Sequence, residues 1–307
     1  MRKTLLVTIG SKAIDLRRGT ERLPGRKRRL KRTDYLFLPI SYNQFFKTCG
    51  RELGDKTWIA YLLAGGAPLA LNDIYQFERI PEYFIELIRD WIYGELVASG
   101  RSRLYLNNLL RVLLRFGGQP VGYAKLAREA GLANNTVAQG YVEQLSDLLS
   151  LIPQWQWDDD KHQHLFRKPC KFPFVNLAVV STFHPASMRH VHEFETLPQK
   201  DQAMLLEWLV AQEIWRRAAY RGSSNPEAVG FWKSEKHEID FVAPDEQFIE
   251  VKLGKAGPLD FLWFDQCFPR KRLNVICSTP FETKNVTGVT IHDFLFNDGL
   301  PASLPYE

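Results

Sequence analysis

Three charged residues in the last third of the chain are of types that could hold a metal ion and act on a phosphate ester: Asp240, then nine residues, then Glu250-Val251-Lys252. Two carboxylates brought together suit a hard divalent cation such as Mg2+, which takes oxygen ligands and keeps several waters for substrate and nucleophile. A lysine beside them can position and deprotonate an attacking water, or stabilise charge on a phosphorane-like transition state. Asp240, Glu250 and Lys252 are therefore the candidate catalytic residues, with Asp240 and Glu250 as candidate metal ligands. The competing reading is opposite charges facing each other across a solvated hairpin, each pair adding only about 0.2–1 kcal/mol.

The elements that must position these residues can be read from the local pattern. HEIDFVAP and QFIEVKLG are two short strands joined around Asp245. A tight hairpin there sets Asp240 opposite Glu250 and Glu238 opposite Lys252, all on one face. Ile239, Phe241, Ile249, Val251 and Leu253 form an apolar opposite face. Asp201 to Tyr220 reads as a long amphipathic helix, with Met204, Leu205, Trp208, Leu209 and Trp215 on its buried side. Pro258 to Phe268 reads as a helix and Arg272 to Cys277 as a buried strand, so the hairpin leads through a crossover to a further strand.

Upstream, Leu104–Phe116, Tyr123–Ala130 and Asn134–Leu149 read as three helices. Only Gly131-Leu132-Ala133 separates the second from the third, and Asn134 or Asn135 can cap the third, a helix-turn-helix layout. SLIPQWQW and HQHLFRKP flank Asp158-Asp159-Asp160-Lys161, a hairpin turn, so the unit reads as a winged helix. Such units lay the third helix in the DNA major groove. Here that helix offers Asn134, Asn135, Thr136 and Gln139 but no Lys or Arg, and it carries Glu143 and Asp147. Phosphate contacts would come from Lys125, Arg128, Lys161, Arg167 and Lys168 on other elements. The candidate nucleic-acid-binding residues are Lys125, Arg128, Asn135, Thr136 and Lys161; a packing role between domains is the alternative.

The 307 residues, 45% hydrophobic, are enough for two or three cores. The net charge of +5 is concentrated, with nine Lys or Arg against Glu21 in residues 17–32, a field suited to phosphates. Cys49, Cys170, Cys267 and Cys277 have no short spacing, which argues against a disulfide framework or zinc module and for a reducing compartment. Neither a signal-peptide core nor a membrane-length apolar run is present, so the expected location is cytoplasmic. Lys3 to Ile9 reads as a buried strand and Tyr35 to Ile40 as another; Tyr42 to Val97 reads as helical, broken at Gly65-Gly66-Ala67-Pro68. His184 to Gln199 reads as a linker, and NDGLPASLPYE as an exposed tail. His190 and His192 lack a third metal ligand. His162 and His164 read as surface residues of the wing, and Trp155 and Trp157 as packing residues.

The order helix, acidic hairpin, helix, strand resembles the core of the PD-(D/E)xK nuclease superfamily. That resemblance implies a carboxylate from the preceding helix; Glu207 matches the place best, with Glu213 second. The whole order of pieces is similar to a group of prokaryotic AAA+ ATPases that carry a winged helix and a C-terminal nuclease-like domain. The matching phrases are Ile9-Gly10-Ser11, Leu23-Pro24-Gly25-Arg26, Pro39-Ile40-Ser41, Gly65-Gly66-Ala67-Pro68 and FWKSEKHEIDF from Phe231 to Phe241. It implies a mixed α/β multidomain protein: an ATPase-domain remnant and helical lid at 1–100, a winged helix at 101–180, a restriction-endonuclease-like α/β domain at 195–295 and a tail at 296–307. The family's phosphate loop would precede Met1, so ATP binding would need that part. The internal Gly50-Arg51-Glu52-Leu53-Gly54-Asp55-Lys56-Thr57 places Asp55 where a glycine is required, and it reads as a coincidence. The expected partner is DNA, with a partner protein or a homo-oligomer also open and no membrane. Three functions stay in view: a Mg2+-dependent nuclease, a non-catalytic nucleic-acid or protein binding module, and an ATPase-family remnant with an oligomeric role.

Overall fold

The computed structural model describes residues 36–223 and 225–297. The expected strand Lys3–Ile9, the basic segment 17–32, the phrases at Ile9–Ser11 and Leu23–Arg26, and the terminal residues from 298 onward lie outside them. The described chain is mixed α/β, with helices gathered around one eight-stranded mixed sheet.

Ser41 opens α1 (Tyr42–Leu53) with a reciprocal cap: its hydroxyl accepts from Gln44 N, and Gln44 Oε1 accepts from Ser41 N. Next come α2 (Thr57–Ala64), α3 (Leu71–Phe77) and α4 (Glu82–Ala98). Gly65 ends α2 in the left-handed region, where an added Cβ would lie 2.4 Å from Ala178 N, so the turn needs glycine. The Gly50–Thr57 phrase spans the end of α1, a 3-10 turn and the first residue of α2. No strand leads into it, as a phosphate loop requires.

The three helices and hairpin whose pattern reads as a winged helix form within a residue or two of expectation: α5 (Arg103–Arg115), α6 (Tyr123–Ala130), α7 (Asn135–Asp147), then β1 (Trp155–Asp158) antiparallel to β2 (Gln163–His164). Asn134 is the cap, accepting from Val137 N at 2.9 Å. Two expectations fail in the flanks. Leu36–Ile40 forms no strand; Ile40 N donates to Gly66 O, and Phe37 is exposed. Residues 184–199 are not a linker: they contain α9 (Val191–Glu195), and Met188, Val191, Phe194 and Leu197 are buried in the main core. The intervening α8 (Leu177–Phe183), equally buried, is short enough that its apolar run gives no clear helical period.

After α10 (Gln199–Tyr220) come β3 (Gly230–Lys233), β4 (Glu238–Val242), β5 (Phe248–Val251), α11 (Leu262–Cys267, led in by a 3-10 turn at Pro258–Phe261), β6 (Leu273–Ile276), β7 (Phe281–Glu282), β8 (Val286–Val289) and α12 (Ile291–Phe296). The sheet order is β2-β1-β3-β4-β5-β6-β8-β7. Strands β3, β4 and β5 are antiparallel, and β5, β6 and β8 are parallel. Strand β1 joins β3 in parallel, so the sheet runs unbroken from the α5–β2 segment into the acidic hairpin.

This placement corrects the expected polar face. Phe241 and Ile249 pack into the large core shared with the helices, while Val242 and Phe248 pack into a second core with Phe261, Phe264, Phe268 and Val275. A hairpin at the centre of a covered sheet has no solvated side. Its polar residues are confined to one end. Among the described residues no helix is long and apolar enough to cross a membrane.

Candidate active site

The β4–β5 register pairs Phe241 with Ile249 and Val242 with Phe248. Continued by one residue, it brings Asp240 opposite Glu250, as the spacing predicts. Asp240 Oδ2 accepts from Val251 N at 2.9 Å, and Glu250 Oε2 accepts from Asp240 N at 3.2 Å. Each carboxylate thus fixes the other strand's backbone. The expected Glu238–Lys252 facing pair does not form. Lys252 turns to Glu250 on its own strand (Nζ to Oε1, 2.5 Å), while Glu238 is held by Lys233 and Lys171 at 2.5 and 2.7 Å.

Lys171 is the residue that sequence reasoning missed. Its side chain is 2% exposed, and its ammonium lies 3.4 Å from both Glu207 Oε1 and Asp240 Oδ1, besides Glu238. It comes from the strand-like segment that follows the wing, where Lys171 N and O bond Gln154 O and N. The Gln154 amide in turn donates to Gly230 O (2.8 Å) and Asp240 O (2.6 Å). So the winged-helix unit reaches the hairpin twice, through Gln154 to its backbone and through Lys171 to its carboxylates. Glu207 enters from α10 past Gly118, a left-handed residue whose added Cβ would meet Glu207 Oε2 at 2.9 Å. The signal for Lys171 was a lone lysine within Cys170–Phe174, an otherwise uncharged, aromatic-rich stretch: buried lysine is rare without acidic partners.

Four carboxyl groups (Glu207, Glu238, Asp240, Glu250) meet three lysines (171, 233, 252), so negative charge would be in excess if all four were ionised. Burial pushes the Glu207 carboxyl up to about 7, with Asp240 and Glu238 adding to the rise against the opposing Lys171. Burial, then the Asp240 charge, pushes Glu250 up to about 8 against the opposing Lys252. Glu238 goes the other way: burial would raise it, but Lys171 and Lys233 hold it below the usual range. For Lys171 burial favours loss of the proton, and the surrounding carboxylates outweigh it and raise the pKa.

These residues fit a hard cation in chemistry. The donors are oxygens, a divalent ion would favour the ionised forms of Glu207 and Glu250 that burial disfavours, and the buried Gln154 Oε1, beside the Asp240 main chain, has no hydrogen-bond partner. They are not drawn together as a trio, however. Among the described residues only Asp159, His162 and Glu246 bring three metal-type ligand atoms within 4.8 Å of one another, and Lys271 already bridges that group's two carboxylates at 3.3 and 2.9 Å. Between Glu207 and Asp240 stands Lys171.

The other candidates divide clearly. Glu213 is not at the site; fully buried, it is gripped by Arg216 (2.6 and 2.8 Å) and Arg217 (2.7 Å). Asn135 and Thr136 are exposed at the start of α7, and Lys125 and Arg128 are exposed on α6, with Lys125 also 4.5 Å above the Phe116 ring. Lys161, on the wing turn, is 3.7 Å from Asp158. His162 is exposed and contacts Glu246, whereas His164 is half-buried against Trp157 and Phe166, and burial lowers its pKa. Trp155 and Trp157 pack edge-on against Phe166 and His164. No protein-family model, curated protein or solved structure matches the chain.

Proposed function

We propose that the chain acts on DNA through a phosphodiester-cleaving centre of the PD-(D/E)xK type at the Asp240–Glu250 end of the hairpin. The observation that carries this reading is the gathering of a buried Glu250 with the partly buried Asp240 and Glu207, beside Lys252 and with fewer lysines than carboxyl groups. Asp240 and Glu250 would hold a divalent cation such as Mg2+, with Glu207 joining them. When bound, such an ion lowers the pKa of its water and neutralises charge on the phosphoryl oxygens. Lys252, half exposed and tied to Glu250, is placed to meet a phosphate arriving from solvent, where its ammonium stabilises the extra negative charge of the transition state. Lys125, Arg128 and Lys161 would make phosphate contacts and Asn135 and Thr136 would face the groove. In this reading the helices from Tyr42 to Ala98 are the lid-like remnant of an ATPase family. A second reading is favoured by Lys171: with a resident cation among the carboxylates, the same fold serves as a non-catalytic binding module.

The test is calorimetric titration of Mg2+ and Mn2+ into the wild type and into Asp240→Ala/Glu250→Ala, followed by incubation of each with single- and double-stranded DNA. Binding and cleavage by the wild type should fall by at least about 10²-fold in the double variant. No cleavage by either protein, with DNA retained by both, would replace the nuclease by the binding module.

A further inference from the structure

All four oxygens of the Asp240–Glu250 pair are engaged. Asp240 Oδ2 and Glu250 Oε2 accept from backbone N–H groups of the facing strand, and Glu250 Oε1 is taken by Lys252. Asp240 Oδ1 is taken by Lys171, which also holds Glu207. The first three partners belong to the hairpin and its own end. Lys171 alone comes from a different unit of the chain, and it stands where Glu207 and Asp240 would have to converge on an ion.

We propose that Lys171 is a built-in counter-ion that keeps the carboxylate site closed to divalent cations, so that loading metal requires its ammonium to leave Asp240 and Glu207. This inference rests on the metal-site reading above and adds its regulation. A buried charge pair holds because each partner lacks an alternative; a divalent ion offers Asp240 and Glu207 two positive charges for one. The lysine has little room to leave by itself, since its side chain is enclosed and its ammonium also lies 5.4 Å over the Phe231 ring. Its release therefore draws on the backbone of the Cys170–Phe174 segment, which is bridged to Val121, Gln154 and Leu151 of the winged-helix unit. Whatever shifts that segment, such as nucleic acid on the winged helix, should favour metal, and metal should favour that shift to the same degree.

Glu238 supplies the means of testing this without touching a proposed ligand, because it makes the shortest contact to Lys171 at 2.7 Å. Mn2+ is titrated into the full chain as wild type, Lys171→Met and Glu238→Gln, each with and without Asp240→Asn. If the lysine-closed form prevails, both variants should bind Mn2+ about tenfold or more tightly than the wild type, and Asp240→Asn should abolish the gain. Equal Mn2+ affinity in wild type and variants, lost on Asp240→Asn, would overturn the closure and leave the metal site standing. Absence of Asp240-dependent Mn2+ binding from every protein would overturn both. Should Lys171→Met fail to fold, Glu238→Gln decides alone.

Discussion

Helix α10 buries two glutamates less than two turns apart, and they live in opposite circumstances. Glu213 is matched on the spot: Arg216 and Arg217, three and four residues on, close around it with short, charge-assisted hydrogen bonds. Glu207 has no local cation. It shares one lysine from a remote segment with Glu238 and Asp240, and its carboxyl is pushed up to about 7. A buried acid neutralised by its own helix is a fastening. A group of acids that outnumber their cations is held together at a cost, which shows in the raised Glu207 and Glu250 carboxyls.

The sharpest test of that contrast is Glu213→Ala against Glu207→Gln. Removing Glu213 strips two arginines of their partner and should cost about 3–5 kcal/mol in chemical denaturation. Glu207→Gln should cost about 1 kcal/mol or less, because burial already favours the uncharged form. Equal losses would erase the distinction. Next in size is Gly118→Ala, which places a Cβ 2.9 Å from Glu207 Oε2 at a φ of +76°. A loss of about 1–3 kcal/mol is expected, with Mn2+ affinity altered because Glu207 must shift. A further test is pH dependence. Glu250 holds its proton more tightly folded, up to about 8, than its ordinary value of 4.5. The stability it contributes is complete below that ordinary value and is lost as pH rises through about 8. Without metal the melting temperature should fall between pH 5 and 8, and Glu250→Gln should flatten the slope. A flat wild-type profile would count against excess negative charge at the site.

Much of this was legible from local pattern. The facing of Asp240 and Glu250 follows from strand alternation around Asp245; Glu207, singled out by family resemblance, lies by Lys171 and Asp240, and Glu213 lies elsewhere. The three helices and the hairpin of the winged-helix unit follow from caps and turn residues. What local pattern could not convey is who packs on whom. Lys171 is about 70 residues from Asp240, and no short-range periodicity links them. The polar face expected of the hairpin failed for the same reason: alternation tells which residues share a side of a strand, but only the neighbours decide whether that side meets water. Residues 184–199 read as a linker because their apolar residues, Met188, Val191, Phe194 and Leu197, are spread among polar ones.

The parallel pairing of β1 with β3 joins strands about 75 residues apart in the chain, with α8, α9 and α10 between them. Closing such a ladder carries the loop-closure entropy of that interval, and pairings of this sequence separation slow folding. During synthesis the wing strand would emerge first and wait with an unpaired edge for β3 to arrive. The carboxylate cluster spans the same interval, since Lys171 and Glu207 come from within it and Asp240 from just after it.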